Sequence, residues 1–285
     1  MILFLIAFLS LLLVPFLGIE VKGSKRWLDL IFLPRFQPVE IVKPFFIVSL
    51  SLMLTIQNRR LYFKYFLSTL FTVPILLLLV YQPDIGQTLL ISTVWLALIF
   101  ISGINIFVFF IFIIFIGSSV SYLVLFVPKF EYIKIRLFAF LDSSSSNNYQ
   151  AEKASDAIIN GGFFGKGIGE GTLNSRVPEA HTDYIVSVIS EEFGAIIVIG
   201  ILFLYLIFSY RVIRKVNFLN DDLYKLILTG CVSLILLQTF IHVGVNIRIL
   251  PTTGMTLPFL SYGGSSIVST AIISGLILNL TKRKI

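Results

Sequence analysis

The sequence predicts an all-α membrane protein, a polytopic bundle of about eight transmembrane helices with one large extracytoplasmic loop. Hydrophobic residues make up 57% of the 285 residues and charged residues only 13%, far outside the usage of soluble globular domains. Several apolar runs also reach the roughly 20 residues that are needed to cross a hydrocarbon core. The composition therefore indicates an integral membrane protein.

Eight apolar runs, separated by short polar breaks, are predicted to span the membrane. In chain order they are Met1–Leu17, Val39–Ile56, Phe66–Tyr81, Ile85–Ile101, Ile106–Val127, Tyr184–Tyr210, Leu223–Ile247 and Ser261–Leu280. The first run has no basic segment before it and no small-residue cleavage site after it, so we expect a retained helix and not a signal peptide. The runs are continuously apolar and do not alternate, which argues against a β-barrel.

The net charge of +7 is interpreted as membrane topology, because the chain offers no soluble domain that could carry a nucleic-acid groove. Basic residues cluster after the second span, after the sixth span and in the tail, which favours cytoplasmic termini. The first loop is also basic, so this count is nearly tied. We expect a multi-pass protein of the cytoplasmic membrane, and the lone Cys231 excludes an intrachain disulfide.

One long polar segment, Lys129–Thr182, is expected to be the extracytoplasmic loop within a single membrane domain of residues 1–285. Its low-complexity part, Asp142–Asn148, should be mobile, and a short amphipathic pattern follows. The run GGFFGKGIGEG from Gly161 to Gly171 fails as a phosphate-binding P-loop because Gly167 follows Lys166. It is either a tight packed loop or a set of backbone N–H groups that face an anionic substrate.

Charged residues near the spans are candidates for function, because an intramembrane charge is costly. Glu40 and Lys43 share a helix face and can form an ion pair, either as a structural clasp or as part of a site. Asp84 is expected to cap the fourth span. His242 is expected to be a helix–helix hydrogen-bond partner.

Asp183 is the strongest candidate for a functional residue, because it lies where a polar, glycine-rich stretch ends and an apolar span begins.

The run from Leu250 to Ser266, LPTTGMTLPFLSYGGSS, predicts a broken or re-entrant segment, or close helix packing at Gly263 and Gly264. No His/Cys spacing indicates zinc. A carboxylate-bound Mg²⁺ or Mn²⁺ that bridges to substrate phosphates is left open, and no metal ligand is assigned.

Six motifs in order resemble one family. They are GSKRW (Gly23–Trp27), QPVEIVK (Gln37–Lys43), QPDIGQT (Gln82–Thr88), PEAHTD (Pro178–Asp183), EEFG (Glu191–Gly194) and GMTLPFLSYGGSS (Gly254–Ser266). Together they are similar, over essentially the whole chain, to the FtsW/RodA/SpoVE (SEDS) family of bacterial membrane proteins, and more to its FtsW branch than to its RodA branch. Members typically have ten spans, so the first two family helices are expected to be missing. Val39 stands where the family commonly has Ser.

The resemblance implies a peptidoglycan glycosyltransferase that polymerises lipid II at the outer membrane face during cell division, with Asp183 as the catalytic residue. A carboxylate there can accept the proton of an attacking sugar hydroxyl. The residues expected to bind substrate or shape the site are Glu40, Lys43, His181, Thr182, Arg176, Lys166, Arg26, Lys25 and Arg248.

The partner that the resemblance implies is a class B penicillin-binding protein, a transpeptidase, with other division proteins at the septum. Alternatives are a lipid II transporter (flippase), a RodA-like elongation polymerase, and a non-catalytic scaffold for the transpeptidase. A transporter would use charges inside the bundle to move the headgroup across the bilayer. No nucleic-acid partner is expected.

Overall fold

The computed structural model describes residues 2–21, 24–30, 33–56, 62–127, 130–141, 149–173 and 177–282. The helices found there are α1 (Ile2–Leu17), α2 (Pro38–Leu54), α3 (Phe63–Tyr81), α4 (Ile85–Ile101), α5 (Ile106–Phe126), α6 (Glu131–Leu141), α7 (Tyr149–Gly161), α8 (Ile185–Phe193), α9 (Ala195–Val216), α10 (Asp222–Asn246) and α11 (Gly264–Lys282). The predicted all-α class is confirmed.

Four helices, α3, α9, α10 and α11, are long and apolar enough to cross a membrane, and α1, α4 and the first part of α5 are apolar but shorter. The protein is therefore a multi-pass membrane protein. The predicted spans coincide with single helices to within a few residues, with one exception. The run Tyr184–Tyr210 is divided between two helices, α8 and α9. Gly194 separates them with φ +86°, a backbone conformation that residues with a side chain rarely adopt.

The segment between α1 and α2 was predicted as a loop, but it forms a small antiparallel sheet of β1 (Ile19–Val21), β2 (Ser24–Leu30) and β3 (Leu33–Phe36) in the order β1-β2-β3. Glu20 pairs with Lys25, and Leu28 pairs with Phe36. Leu28 is fully buried, and β2 packs against α1 and α2. Burial of this side chain holds the sheet against the helices.

The contacts group the chain into two compact units, of which the first comprises residues 1–104, 209–237 and 263–285. Its core lies between α2, α3 and α4, where Phe46 stacks on Phe71 at 5.9 Å between ring centroids. On α10, a Cβ at Gly230 would lie 2.7 Å from the Ile47 side chain. The missing side chain therefore lets α10 approach α2 closely.

The second unit comprises residues 105–208 and 238–262. In it α7 packs against α8 with a stripe of small buried residues: Ala151, Ala154, Ala157 and Gly161. Their spacing of three or four residues places them on one helix face. The predicted amphipathic pattern is confirmed, whereas the predicted mobile stretch Asp142–Asn148 lies outside the described residues. The single membrane domain and the cytoplasmic termini stay predictions.

Candidate active site around Asp183

Asp183 lies in a tight turn directly before α8. The backbone N–H groups of Thr182, Asp183 and Tyr184 all point at the carbonyl of Glu179, at 3.1, 3.0 and 3.3 Å. Glu179 itself has φ +57°, the left-handed conformation that closes such a turn. The turn therefore presents a half-buried Asp183 side chain on a backbone fixed from within.

Asn246, at the end of α10, holds this turn from one side. Its amide nitrogen donates to the backbone oxygen of Asp183 at 3.2 Å and to that of His242 at 2.8 Å. Its side-chain oxygen accepts a hydrogen bond from the Ser187 hydroxyl at 2.8 Å. The residue is fully buried, so these bonds satisfy an amide that would otherwise be costly to bury.

The segment between α10 and α11 holds the turn from a second side. The Ser261 hydroxyl donates to the Thr182 carbonyl at 2.6 Å and accepts from the Leu257 N–H at 2.8 Å. The Tyr262 N–H donates to the His181 carbonyl at 3.0 Å. We call Asn246, Ser261 and the Tyr262 backbone the clamp, because they bind the carbonyls of three successive residues.

The segment between α10 and α11 has an irregular backbone, as the sequence predicted. Side chains of α10 form hydrogen bonds with its backbone carbonyls. His242 Nδ1 lies 2.7 Å from the Met255 carbonyl, and the Gln238 amide donates to the Thr256 carbonyl at 2.9 Å. His242 thus bonds this segment, and no bond to a neighbouring helix is seen among the described contacts. The structure gives no support for close packing at Gly264, since a Cβ there would meet none of the described atoms within 4 Å, and close packing at Gly263 stays a prediction.

Gly254 is the part of the segment that faces the carboxylate. A Cβ built on Gly254 would lie 3.4 Å from the Asp183 Oδ2 atom, and Gly254 has φ +67°. A side chain would be strained by this backbone conformation, and its Cβ would lie in van der Waals contact with the carboxylate. Glycine adopts the conformation without this strain.

The glycine run after α7 is a packed loop, so the first of its two interpretations is confirmed. A Cβ on Gly161 would lie 2.0 Å from the Ser190 carbonyl, and one on Gly165 would lie 2.2 Å from the Glu192 carbonyl. The N–H groups of Lys166 and Gly167 donate to the carbonyls at the end of α8, at 2.8 and 3.0 Å. These two N–H groups are therefore already used and do not face an anion.

Glu191, in the EEFG motif, is not among the predicted site residues, but the structure gives it a role. Its side chain is fully buried, and its Oε1 atom accepts from the Asn160 amide and from the Leu173 N–H, both at 2.9 Å. It joins α8 to the end of α7 and to the segment that leads towards Asp183. A glutamate inside an apolar helix was the available signal.

The predicted ion pair between Glu40 and Lys43 is confirmed in the first unit. Lys43 Nζ lies 2.7 Å from Glu40 Oε2, and the two side chains are 1% and 5% exposed. The Gln87 amide donates to Glu40 Oε1 at 2.7 Å. The two charges neutralise each other on one face of α2, while their role towards Asp183 stays a prediction.

Asp84 caps α4, as predicted, by accepting from the Gln87 N–H at 3.3 Å. The Gln37 amide donates to it at 3.1 Å, and Arg26 Nε lies 3.8 Å away. Arg26 also donates to the carbonyls of Gln82 and Pro83. Burial raises the pKa of the Asp84 carboxyl, and the Arg26 charge opposes that rise. Arg26 was predicted to bind the substrate through its positive charge. Its guanidinium instead contacts Gln82, Pro83 and Asp84 of the QPD turn.

The other predicted residues are distributed over both units. His181, Thr182, Lys166 and Arg248 lie in the unit of Asp183, whereas Lys25 lies in the first unit. Lys25, Lys166 and His181 are exposed, Thr182 and Arg248 are half-buried, and Arg176 lies outside the described residues. In the part of the chain that the structure describes, no group of three His, Cys, Asp or Glu residues is arranged to hold a metal ion.

Known proteins resemble this chain in sequence and in fold. The probable peptidoglycan glycosyltransferase FtsW of Caulobacter vibrioides is 33% identical over 279 residues, which cover 95% of this chain and 68% of the relative. A chain of a peptidoglycan synthase complex superposes with a TM-score of 0.80 at 27% identity, covering 98% of this chain and 80% of its own.

The rod shape determining protein RodA of Thermus thermophilus superposes with a TM-score of 0.66 at 26% identity, covering 98% of this chain and 76% of its own. The model of the FtsW/RodA/SpoVE family, described as cell cycle protein, matches residues 1–284. The match confirms the resemblance seen in the six motifs. This chain belongs to the FtsW/RodA/SpoVE family of cell cycle proteins.

Proposed function

We propose that this protein is a peptidoglycan glycosyltransferase that polymerises lipid II, with Asp183 as its general base. Membership of the family and the 33% identity to a probable peptidoglycan glycosyltransferase FtsW support the activity. The observation that carries the role of Asp183 is the clamp, which fixes the backbone beneath the carboxylate at three successive carbonyls. A general base needs this kind of fixed position relative to the proton it accepts.

The reaction requires one bond to form and one to break at the anomeric carbon of the donor sugar. A hydroxyl oxygen of the acceptor sugar attacks that carbon, and the bond to the lipid pyrophosphate breaks, with its electron pair leaving on the phosphate oxygen. The proton of the attacking hydroxyl passes to the Asp183 carboxylate. We place the acceptor hydroxyl next to Oδ2, on the side of the carboxylate where Gly254 lies.

The leaving pyrophosphate needs a positive charge nearby, and we assign this role first to Arg248. It follows α10 directly, two residues after Asn246, in the same unit as Asp183. Its φ is +59°, a left-handed conformation that is uncommon for a long side chain and that is often found at functional sites. Arg26 is less suited, because the QPD turn already engages its guanidinium.

Cell division is the setting that we propose, with a class B penicillin-binding protein as the partner at the septum. Identity to the FtsW relative, 33%, is higher than identity to the solved RodA, 26%. The likeness to a chain of a peptidoglycan synthase complex, with a TM-score of 0.80, supports a partner enzyme. A RodA-like elongation role remains the alternative within the same chemistry.

The test is polymerisation of labelled lipid II by the protein purified with its cognate transpeptidase, with and without divalent cation. We expect glycan ladders from the wild type and a loss of about 100-fold or more in Asp183→Asn. Asp156→Asn is the matched control, since Asp156 lies exposed on α7 in the same unit. It should polymerise like the wild type.

Other outcomes would assign other functions. Ladders that persist in Asp183→Asn would remove Asp183 as the base. A folded wild type that moves lipid II across vesicle membranes without polymerising it would indicate a transporter. Normal growth of cells that carry only Asp183→Asn would indicate a scaffold.

A further inference from the structure

Four large apolar side chains are strongly exposed around the packed glycine loop. Ile159 is 75% exposed, Phe163 71%, Phe164 85% and Ile168 78%. We call these four residues the apolar tip, and we propose that the apolar tip inserts into the lipid bilayer beside the first turn of α9. The proposal concerns membrane anchoring of this segment and does not depend on the chemistry assigned to Asp183.

The backbone beneath the apolar tip is fixed to the start of α9. The Gly162 carbonyl accepts from the Ala195 N–H at 2.9 Å, and the Phe163 carbonyl accepts from the Ile196 N–H at 3.4 Å. The approach is so close that a Cβ on Gly194 would lie 2.2 Å from the Phe163 oxygen. The two phenylalanines are therefore held at the depth at which α9 begins.

The length of α9 and the basic residues near its far end indicate that its first turn lies at the edge of the membrane. The helix has 22 residues, about 33 Å at 1.5 Å per residue, against a hydrocarbon core of about 30 Å. Arg211, Arg214 and Lys215 lie near its far end, where basic side chains mark the edge of the core. Since Arg211 is sixteen residues from Ala195, the first turn of α9 lies about 24 Å from it, close to the opposite edge.

Lipid is the occupant that the surroundings favour. The loop is hydrogen-bonded to the start of a helix whose own apolar side chains are exposed, as at Ile199, 62%, and Phe203, 61%, so both the loop and α9 expose apolar surface. Apolar side chains such as Phe and Leu bury at the boundary between the headgroups and the acyl chains when a segment lies in the membrane interface. Lys166, exposed between Phe164 and Ile168, can extend its ammonium to the lipid phosphates.

The experiment uses spin labels in the full-length protein, reconstituted in nanodiscs of phosphatidylcholine and phosphatidylglycerol. Single labels are placed through Phe164→Cys and Ile168→Cys, and power saturation gives the accessibility of each label to oxygen and to a water-soluble nickel chelate. Phe203→Cys on α9 serves as the lipid-facing reference, and Glu170→Cys, two residues after Ile168, as the water-facing one. The unsubstituted chain, whose one cysteine, Cys231, is buried, is the labelling blank.

We expect both tip labels to be reached more by oxygen than by the chelate, as at position 203, and the label at position 170 to show the reverse. Chelate access at positions 164 and 168 equal to that at 170 would overturn the proposal. Protection from both reagents would also overturn it, because it would mean that protein and not lipid covers the apolar tip. Both substituted side chains are exposed, so the fold should be retained, and an unchanged melting temperature would verify it.

Discussion

The side-chain nitrogen of Asn246 lies 3.2 Å from the backbone oxygen of Asp183, and this contact joins the end of α10 to the turn that carries the carboxylate. The same amide accepts a hydrogen bond from Ser187 in α8. One buried amide therefore relates α10, α8 and the turn to one another. It uses donor and acceptor atoms together, which neither a carboxylate nor an apolar side chain of the same shape can supply.

Asn246→Ala should lower both stability and turnover. The change removes the buried partners of Ser187, of Asp183 and of His242, and each buried group left unsatisfied costs about 1–3 kcal/mol. We expect a fall in melting temperature and a fall in kcat that exceeds any rise in KM, since substrate contacts are not removed directly. Thermal unfolding in detergent and polymerisation of lipid II would measure the two effects.

Asn220→Ala is the control for Asn246→Ala, because Asn220 is exposed in the loop before α10. It should leave both measurements unchanged. If Asn246→Ala kept the wild-type melting temperature and turnover, the clamp would have no positioning role.

Lys43→Ala should destabilise the first unit strongly. It leaves the Glu40 carboxylate buried without its cation, and breaking a buried ion pair typically costs about 3–5 kcal/mol. Lys153→Ala is the matched control, since Lys153 also pairs with an acid three residues on, but with side chains 30% and 49% exposed. The control should cost less than about 1 kcal/mol.

The double variant Glu40→Gln, Lys43→Met separates charge from packing in the same pair. It removes both charges, keeps an acceptor for Gln87, and should recover most of the melting temperature lost in Lys43→Ala. A double variant no more stable than the single one would show that packing and not charge is responsible.

Gly165→Ala should be far more harmful than Gly169→Ala. Both glycines have nearly the same left-handed backbone, with φ +79° and +77°. A Cβ at Gly165 would lie 2.2 Å from the Glu192 carbonyl, whereas one at Gly169 would meet none of the described atoms within 4 Å. Placing alanine in this left-handed conformation costs about 1–2 kcal/mol in both variants. The difference in stability between the two variants therefore measures the steric clash at Gly165. Overpacking adds about 1–3 kcal/mol, and equal melting temperatures would contradict the packed loop.

Asp84→Asn should weaken the dependence of stability on pH. Burial raises the pKa of the Asp84 carboxyl above its ordinary 3.8, so the folded state holds the proton more tightly than the unfolded state. The stability that this group contributes is therefore present at low pH and is lost as the pH rises through the raised value. Asparagine keeps a capping oxygen and has no proton to lose.

The measurement for Asp84→Asn is the melting temperature between about pH 4 and pH 7. The variant should fall less than the wild type over this interval. Asp222→Asn is the control, because Asp222 also lies in the first turn of a helix but has an 80% exposed side chain, and its profile should match the wild type. Parallel profiles for Asp84→Asn and the wild type would contradict the prediction.

The sequence by itself determined the features that depend on local pattern. The apolar run Ile85–Ile101 predicted both ends of α4 correctly, because a helix that crosses a hydrocarbon core needs a continuous apolar run. The spacing of Glu40 and Lys43 set their ion pair, because residues three apart share a helix face. The position of Asp84 before an apolar run set the cap, and the polar-to-apolar boundary singled out Asp183.

Only the tertiary structure decided which distant residues meet. Asn246 reaches a carbonyl 63 positions earlier in the chain, and Ser261 reaches one 79 positions earlier. Arg26 of β2 engages the turn at Asp84, and Gly194 ends α8 where the apolar pattern runs on. Hydrophobic periodicity states which face of a helix is buried but not against what, so such contacts depend on how the helices pack and on which buried polar atoms still need a partner.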